Sequence, residues 1–298
     1  MAQGLRPGVH CIAATPFLPD ESLDLHSLGT LIEYLVRAGC DGILVLGVLG
    51  EADRLSDRER DLVIKQTVED AGDRLQVSIG ITHGATLVTR ERALAAAAAG
   101  AATVMVSPPP GSAAGPTLKD HFKRIGDGLT IPVIVQDHPT SSGVKLPVEF
   151  IASLAEFLPE GSIVKAEDPP SANKMHKLRE IAPSFQLFGG LGGVSLLQEL
   201  EAGSSGAMTG FAKADVLVGI VKSFQAGEKQ EARELFEEAL PLLVFEAQPG
   251  AGVGLRKEIL RRQGTILHAT VRQPAPTPDS FTLRLLDELL GAWPDVGR

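Results

Sequence analysis

Eight short apolar runs, each followed by a stretch with helical spacing, occupy the chain as far as about residue 225. The runs are Val9 to Thr15, Gly42 to Leu46, Val77 to Gly80, Thr103 to Ser107, Val133 to Gln136, Ser162 to Lys165, Gln186 to Gly189 and Gly206 to Thr209. Most are apolar at every position, the pattern of parallel strands covered on both faces. Between them, Leu25, Leu28, Leu31, Ile32, Leu35 and Val36 mark a helix ending near Gly39, and Ser56-Asp57-Arg58-Glu59 resembles a capping box opening the next. Further helices are expected at 87–99, 118–127, 147–158, 173–182, 195–202 and 215–225. Eight βα units without a linker predict an α/β fold, a closed (β/α)8 barrel; an open doubly wound sheet is the competitor, less suited to eight evenly spaced strands.

After residue 226 the alternation stops. Three helices are expected at 228–244, 253–262 and 279–291, the last preceded by the link Gln273-Pro274-Ala275-Pro276-Thr277-Pro278. Residues 227–298 are therefore read as a C-terminal three-helix appendage packed on a barrel of residues 1–226 that carries the active site. Roughly 70 residues with one narrow apolar stripe per helix would make a marginal core alone.

Several function classes are disfavoured by composition. A net charge of −9, with the basic residues scattered, lacks the basic stripe that nucleic acid requires. No run reaches the roughly 20 apolar residues of a membrane span, and Met1 to Gly8 has no signal-peptide core. Cys11 and Cys40 match no zinc or CxxC spacing and read as buried free thiols, so a cytoplasmic location is expected. No HExxH or carboxylate cluster points to a metal.

In a barrel of this kind the strand C-termini converge on one mouth, where chemistry resides. Lys165 ends the sixth run. Desolvating an amine there favours its neutral, nucleophilic form, which can condense with a ketone as a Schiff base; a strand-end lysine is more often simply ion-paired. The same mouth receives Gly47-Val48-Leu49-Gly50-Glu51 after run two, Gln136-Asp137-His138-Pro139 after run five, Gly189-Gly190 after run seven and Met208-Thr209-Gly210 after run eight.

The Gly-x-x-Gly-Glu loop, Lys165 and the Gly-Ala-Met-Thr segment, with Thr15-Pro16-Phe17 and Arg272-x-Pro274, resemble the dihydrodipicolinate synthase/N-acetylneuraminate lyase superfamily of Schiff-base TIM barrels along essentially the whole chain. The resemblance implies a lyase that holds a 2-keto acid on Lys165, with no cofactor and no metal, in a homotetramer or homodimer. It makes Gly47, Val48, Leu49, Gly50, Gly190 and Met208 the expected substrate-binding residues.

Departures from the pattern are specific. Two threonines of the dihydrodipicolinate-forming members fall here at Val48 and Leu49, a relay tyrosine crossing to a neighbouring subunit falls at Pro110, the strand-five tyrosine at Gln136, and the arginine for the second substrate at Ser141. The segments Val135-Gln136-Asp137-x-Pro139, Ala172-Asn173-Lys174 and Gly206 to Gly210 are similar to the 2-keto-3-deoxy-L-arabonate dehydratase group, in which glutamine also replaces the tyrosine, although the loop after run two does not match it closely.

An amide such as Gln136 cannot act as a phenol-like acid, so a proton carrier must be found elsewhere. Glu51 and His138 are the candidates, with Gln136 positioning a water or a hydroxyl. Glu51 has the competing reading of a turn cap or partner of Arg54; Asp137 and Glu167 read more readily as loop or ion-pair carboxylates, and His83 as a surface histidine. Gly189 to Gly193 lacks the full spacing of a dinucleotide fingerprint and reads as tight turns. The favoured function is dehydration of a 2-keto-3-deoxy sugar acid. The alternatives are retro-aldol cleavage of such an acid, a 4-hydroxy-tetrahydrodipicolinate synthase-like condensation, and a barrel that binds keto acids without turnover.

Overall fold

A computed structural model of the protein describes residues 4–291. Eight parallel strands close in sequence order, and the last pairs with the first. They are β1 Gly8–Ile12, β2 Gly42–Val45, β3 Gln76–Gly80, β4 Thr103–Val106, β5 Val133–Asp137, β6 Ile163–Ala166, β7 Gln186–Gly189 and β8 Gly206–Ala207. Around them lie α1 Leu25–Ala38, α2 Asp57–Ala71, α3 Thr86–Ala98, α4 Pro116–Gly126, the single turn α5 Pro139–Ser142, α6 Val148–Ser153, α7 Ser171–Ile181, α8 Leu196–Glu201 and α9 Ala214–Gln225. The protein is a (β/α)8 TIM barrel.

Local chemistry accounts for the helix ends. Asp24 accepts from the Ser27 N–H at the start of α1, and Gly39 closes that helix in the left-handed conformation at φ 80°. Ser56 and Glu59 form the expected reciprocal capping box. Two runs are shorter than their apolar stretches. β1 stops at Ile12 and β8 at Ala207, each followed by one further bond to a neighbouring strand: the Ala13 N–H donates to the Leu44 carbonyl of β2, and the Met208 N–H to the Gly189 carbonyl of β7.

The period-two alternation of each strand separates two buried layers. Val133, Val135 and Val164 join the core beneath the helices. Ile12, Leu44, Met105, Ile134, Ile163 and Phe188 fill the barrel interior, so the lower barrel is solid and only the mouth is open for a ligand. Cys11 and Cys40 are buried free thiols, and burial raises both pKa values, that of Cys11 to about 11.

Beyond α9 come α10 Lys229–Glu246, α11 Gly252–Arg262 and α12 Ser280–Gly291; residues 292–298 lie outside the described part. α10 packs along α9 and carries α11 and α12 against its other side. Among the described residues no helix is long and apolar enough to cross a membrane.

Candidate active site

Strand alternation decides what reaches the mouth. On β5, Ile134 points inward, so Gln136 does too; on β6, Ile163 points inward, and so does Lys165. The parallel register sets Gln136 beside Lys165. Two residues after Lys165 the same periodicity brings Glu167 to the same side.

These side chains form one polar web at the mouth. Glu167 Oε2 lies 3.3 Å from Lys165 Nζ and accepts a hydrogen bond from the Gln136 amide at 2.8 Å. Its Oε1 accepts from the Leu191 N–H at 3.2 Å. The Gln136 carbonyl in turn accepts from Ser107 Oγ at 2.7 Å, which fixes the amide with its nitrogen toward Glu167. Lys165 and Glu167 are 3% and 5% exposed, so their mutual attraction is little screened. Burial alone would raise the Glu167 pKa; the adjacent Lys165 charge, with His138, the Gln136 amide and the Leu191 N–H, outweighs it and holds the carboxyl below its ordinary value.

The web borders a cavity of about 510 Å³ that also meets Val48, Leu49, His138 and Thr209. Val48 and Leu49 begin a 3-10 turn, Val48–Gly50, braced by Thr15 Oγ1, which donates to the Gly50 carbonyl at 2.7 Å. His138 Nδ1 hydrogen-bonds Ser141 Oγ at 2.8 Å, and burial lowers the imidazole pKa. Left-handed backbone at the non-glycine residues Glu21, Leu46, Glu51 and Leu191 falls in the loops that follow β1, β2 and β7, and such conformations concentrate at functional sites.

The chain resembles known proteins over nearly its full length. Residues 7–286 match the sequence model of the Dihydrodipicolinate synthetase family. The chain belongs to that family. It is 30% identical to an L-2-keto-3-deoxyarabonate dehydratase of Azospirillum brasilense, covering 96% of each chain. It is also 30% identical to a 4-hydroxy-tetrahydrodipicolinate synthase of Kineococcus radiotolerans, over 92% of this chain and 89% of that one. The crystal structure of dihydrodipicolinate synthase from Rhodopseudomonas palustris superposes with a TM-score of 0.91 at 31% identity, covering 97% of this chain and 99% of that chain. The protein is a lyase of this family.

Within this family member the structure redistributes several expected roles. Glu51, expected as a proton carrier, is fully buried away from the cavity: Lys257 and the Arg272 N–H take its two oxygens, with Arg54 at 3.5 Å. Met208 belongs to the interior layer of the barrel, and the neighbouring Thr209 meets the cavity instead. Gly47 and Gly50 shape the turn from below and do not line the cavity. Gly190 likewise stands behind the site; a Cβ there would fall 2.3 Å from Glu167 Oε1, so the glycine makes room for that carboxylate. His83 is exposed and accepts from the Ala85 N–H ahead of α3, and Pro110 is exposed.

Glu167, read from the sequence as a loop or ion-pair carboxylate, is placed by the structure against Lys165 inside the mouth. The available signal was its spacing of two from Lys165 on a strand end. The appendage contributes as well: Glu246, Gln248 and Arg256 all line the cavity, so the mouth is not made by the barrel alone. Asp137 is buried under an ion pair with Lys174, which also reaches Asp168 at 3.1 Å, and burial raises its pKa to about 6. Among the described residues no group of three or more His, Cys, Asp or Glu is placed to hold a metal ion.

Proposed function

We propose that the protein dehydrates a 2-keto-3-deoxy sugar acid through an imine on Lys165. The observation that carries this reading is the Glu167 carboxylate held between the Lys165 amine at 3.3 Å and the Gln136 amide at 2.8 Å. An imine-forming lysine needs a neighbouring group that moves protons, and Glu167 is within reach of both the amine and the first carbons of a bound substrate.

The chemistry follows from that placement. The substrate carboxylate docks on the backbone N–H groups of Val48 and Leu49, a task that needs no side-chain hydroxyl. Lys165 Nζ attacks C2 and water leaves, giving an iminium that draws electrons from the C3–H bond. Glu167 takes the C3 proton; the resulting enamine expels the C4 hydroxyl, which departs as water with the proton returned by Glu167. A proton then moves from C5 to C3, the C4–C5 enol so formed tautomerises to the aldehyde, and hydrolysis of the imine frees Lys165. Gln136, pinned by Ser107, orients Glu167 and a hydroxyl or water without itself titrating.

Cleavage remains the second reading, because a carboxylate at Glu167 can also take the C4 hydroxyl proton that a retro-aldol step removes. Dehydration is favoured by Gln136 and by the likeness to the Azospirillum brasilense dehydratase across 96% of each chain. The synthase-like condensation is disfavoured by Val48, Leu49 and Ser141 at the positions named above. Turnover, rather than binding alone, is favoured by the presence of Glu167 as a proton carrier.

The deciding experiment combines trapping with product analysis. Borohydride with a 2-keto acid should leave an adduct on the Lys165 peptide, and 2-keto-3-deoxy-L-arabonate should yield 2-ketoglutarate semialdehyde. Release of pyruvate plus an aldehyde would establish cleavage, and failure of a panel of keto acids to label the lysine would end the imine reading. Lys165→Ala should lose at least about a thousandfold in rate. Assembly into a homodimer or homotetramer is part of the same reading, and light scattering at micromolar concentration tests it.

A further inference from the structure

Part of the cavity lining is supplied by the appendage, through Glu246, Gln248 and Arg256, and its chemistry indicates what the far end of the substrate carries. Lys165 lies next to the last residue of β6 and the Val48–Gly50 turn follows β2, on opposite sides of the eight-strand ring. A 2-keto acid with C1 on that turn and C2 on Lys165 leaves Thr209, Gln248 and Arg256 among the lining residues that can meet its remaining carbons. At about 510 Å³ the space falls in the range of pockets that enclose whole ligands, more than a three-carbon acid needs.

Arg256 is the informative residue there. It is 4% exposed, and its Nε donates to Glu246 Oε1 at 2.5 Å, while Glu246 Oε2 accepts from the Ala212 N–H at 3.0 Å. Among the described residues Nε is the one guanidinium nitrogen with a hydrogen-bond partner; NH1 is buried without any. Gly210 makes room for the group, since a Cβ there would fall 2.6 Å from NH1. NH1 is shut off from the cavity, so NH2 is the nitrogen left to meet a ligand where Arg256 lines the wall, and an unmatched donor there is costly unless a ligand fills it.

Charge decides which ligand. The cavity holds two ion pairs, Lys165 with Glu167 and Arg256 with Glu246, and each cation is already matched. The other polar groups at the rim include Thr140, Ser141, Thr209, Gln248 and the imidazole of His138, whose pKa burial lowers toward the neutral form. A second carboxylate would face Glu246 with no free cation, whereas hydroxyls can accept from Arg256 without disturbing the pair.

We propose that Arg256, held by Glu246, is a specificity-determining residue that binds the hydroxyl groups of the substrate tail, so that the site selects hydroxylated monocarboxylic 2-keto acids over 2-keto dicarboxylic acids. This rests on Lys165 as the imine-forming residue.

The test compares the wild type with Arg256→Lys, which keeps a partner for Glu246, and with Arg256→Met/Glu246→Gln, which removes both charges. For each, kcat/KM on five- and six-carbon 2-keto-3-deoxy acids is divided by the rate of borohydride trapping with pyruvate, which has no tail. That ratio should fall roughly 10- to 100-fold in both variants, the scale of a lost hydrogen bond to a charged group. An unchanged ratio overturns the proposal, as does a wild type that turns over 2-keto dicarboxylic acids as well as hydroxylated ones. If the wild type traps no keto acid, the imine reading fails separately. Thermal stabilisation by the same hydroxylated acids then decides the role of Arg256, a shift equal in wild type and Arg256→Lys counting against it.

Discussion

Lys257 on α11 and Glu51 in the loop after β2 form an ion pair in which neither side chain is exposed, joining positions 206 apart in sequence. Lys257 also donates to the Thr270 carbonyl at 2.8 Å and lies 4.3 Å above the Phe17 ring. The Arg272 N–H donates to the second Glu51 oxygen at 2.9 Å. The appendage thereby holds the 3-10 turn that presents Val48 and Leu49 to the cavity.

Removing one partner of such a pair strands a charge. Lys257→Met should therefore cost about 3–5 kcal/mol in urea unfolding, and the double variant Glu51→Gln/Lys257→Met should recover part of that loss. Glu51→Gln should keep the imine-trapping rate of Lys165 close to its stability-corrected value. A Glu51→Gln protein with normal stability but no proton transfer would restore Glu51 as the carrier.

Glu167→Gln keeps the size of the side chain and removes its ability to move a proton. Turnover of a 2-keto-3-deoxy acid should fall about 10²- to 10⁴-fold, the usual worth of a general acid–base group, while borohydride trapping on Lys165 persists. Full turnover in this variant would transfer the role to His138.

Gly190→Ala tests the space behind Glu167. The added Cβ would meet Glu167 Oε1 at 2.3 Å. The displaced carboxylate should lower kcat on the order of 10²-fold, with little change in melting temperature. Unaltered kcat would show that the position of Glu167 does not matter.

Glu199 is fully buried beneath Gly189, accepting from Ser171 Oγ at 2.6 Å, and burial raises its pKa from 4.5 to about 7. The folded protein therefore keeps a proton that the unfolded chain loses between those values. The associated stability is fully present below pH 4.5 and declines as pH rises to about 7. Glu199→Gln should abolish this decline and be more stable than the wild type at pH 8 by roughly 3 kcal/mol. Parallel stability–pH curves for the two proteins would contradict it.

The eight-unit barrel and the position of Lys165 were legible in the sequence because both depend on local order. Apolar runs of strand length and helical spacing repeat along the chain, and alternation on β6 sends Lys165 to the side of Ile163. The same alternation carried Glu167, but a carboxylate near a lysine looks like any surface ion pair until burial at 5% exposure and the Gln136 hydrogen bond are seen.

Glu51 shows the opposite case. Its place in the Gly-x-x-Gly-Glu loop suggested chemistry, yet its partner lies on α11, and no local rule links residues that far apart. Arg256 and Glu246 entered the cavity for the same reason: helix spacing fixes which face of α11 or α10 is apolar, not which polar residue meets the mouth of a distant barrel. The sequence alone determined the periodic elements and placed a lysine, the proposed nucleophile, at a strand end. Which carboxylate sits beside that nucleophile, which one braces a loop, and which arginine closes the cavity were decided by tertiary packing, because buried charges settle only where the folded chain supplies a partner.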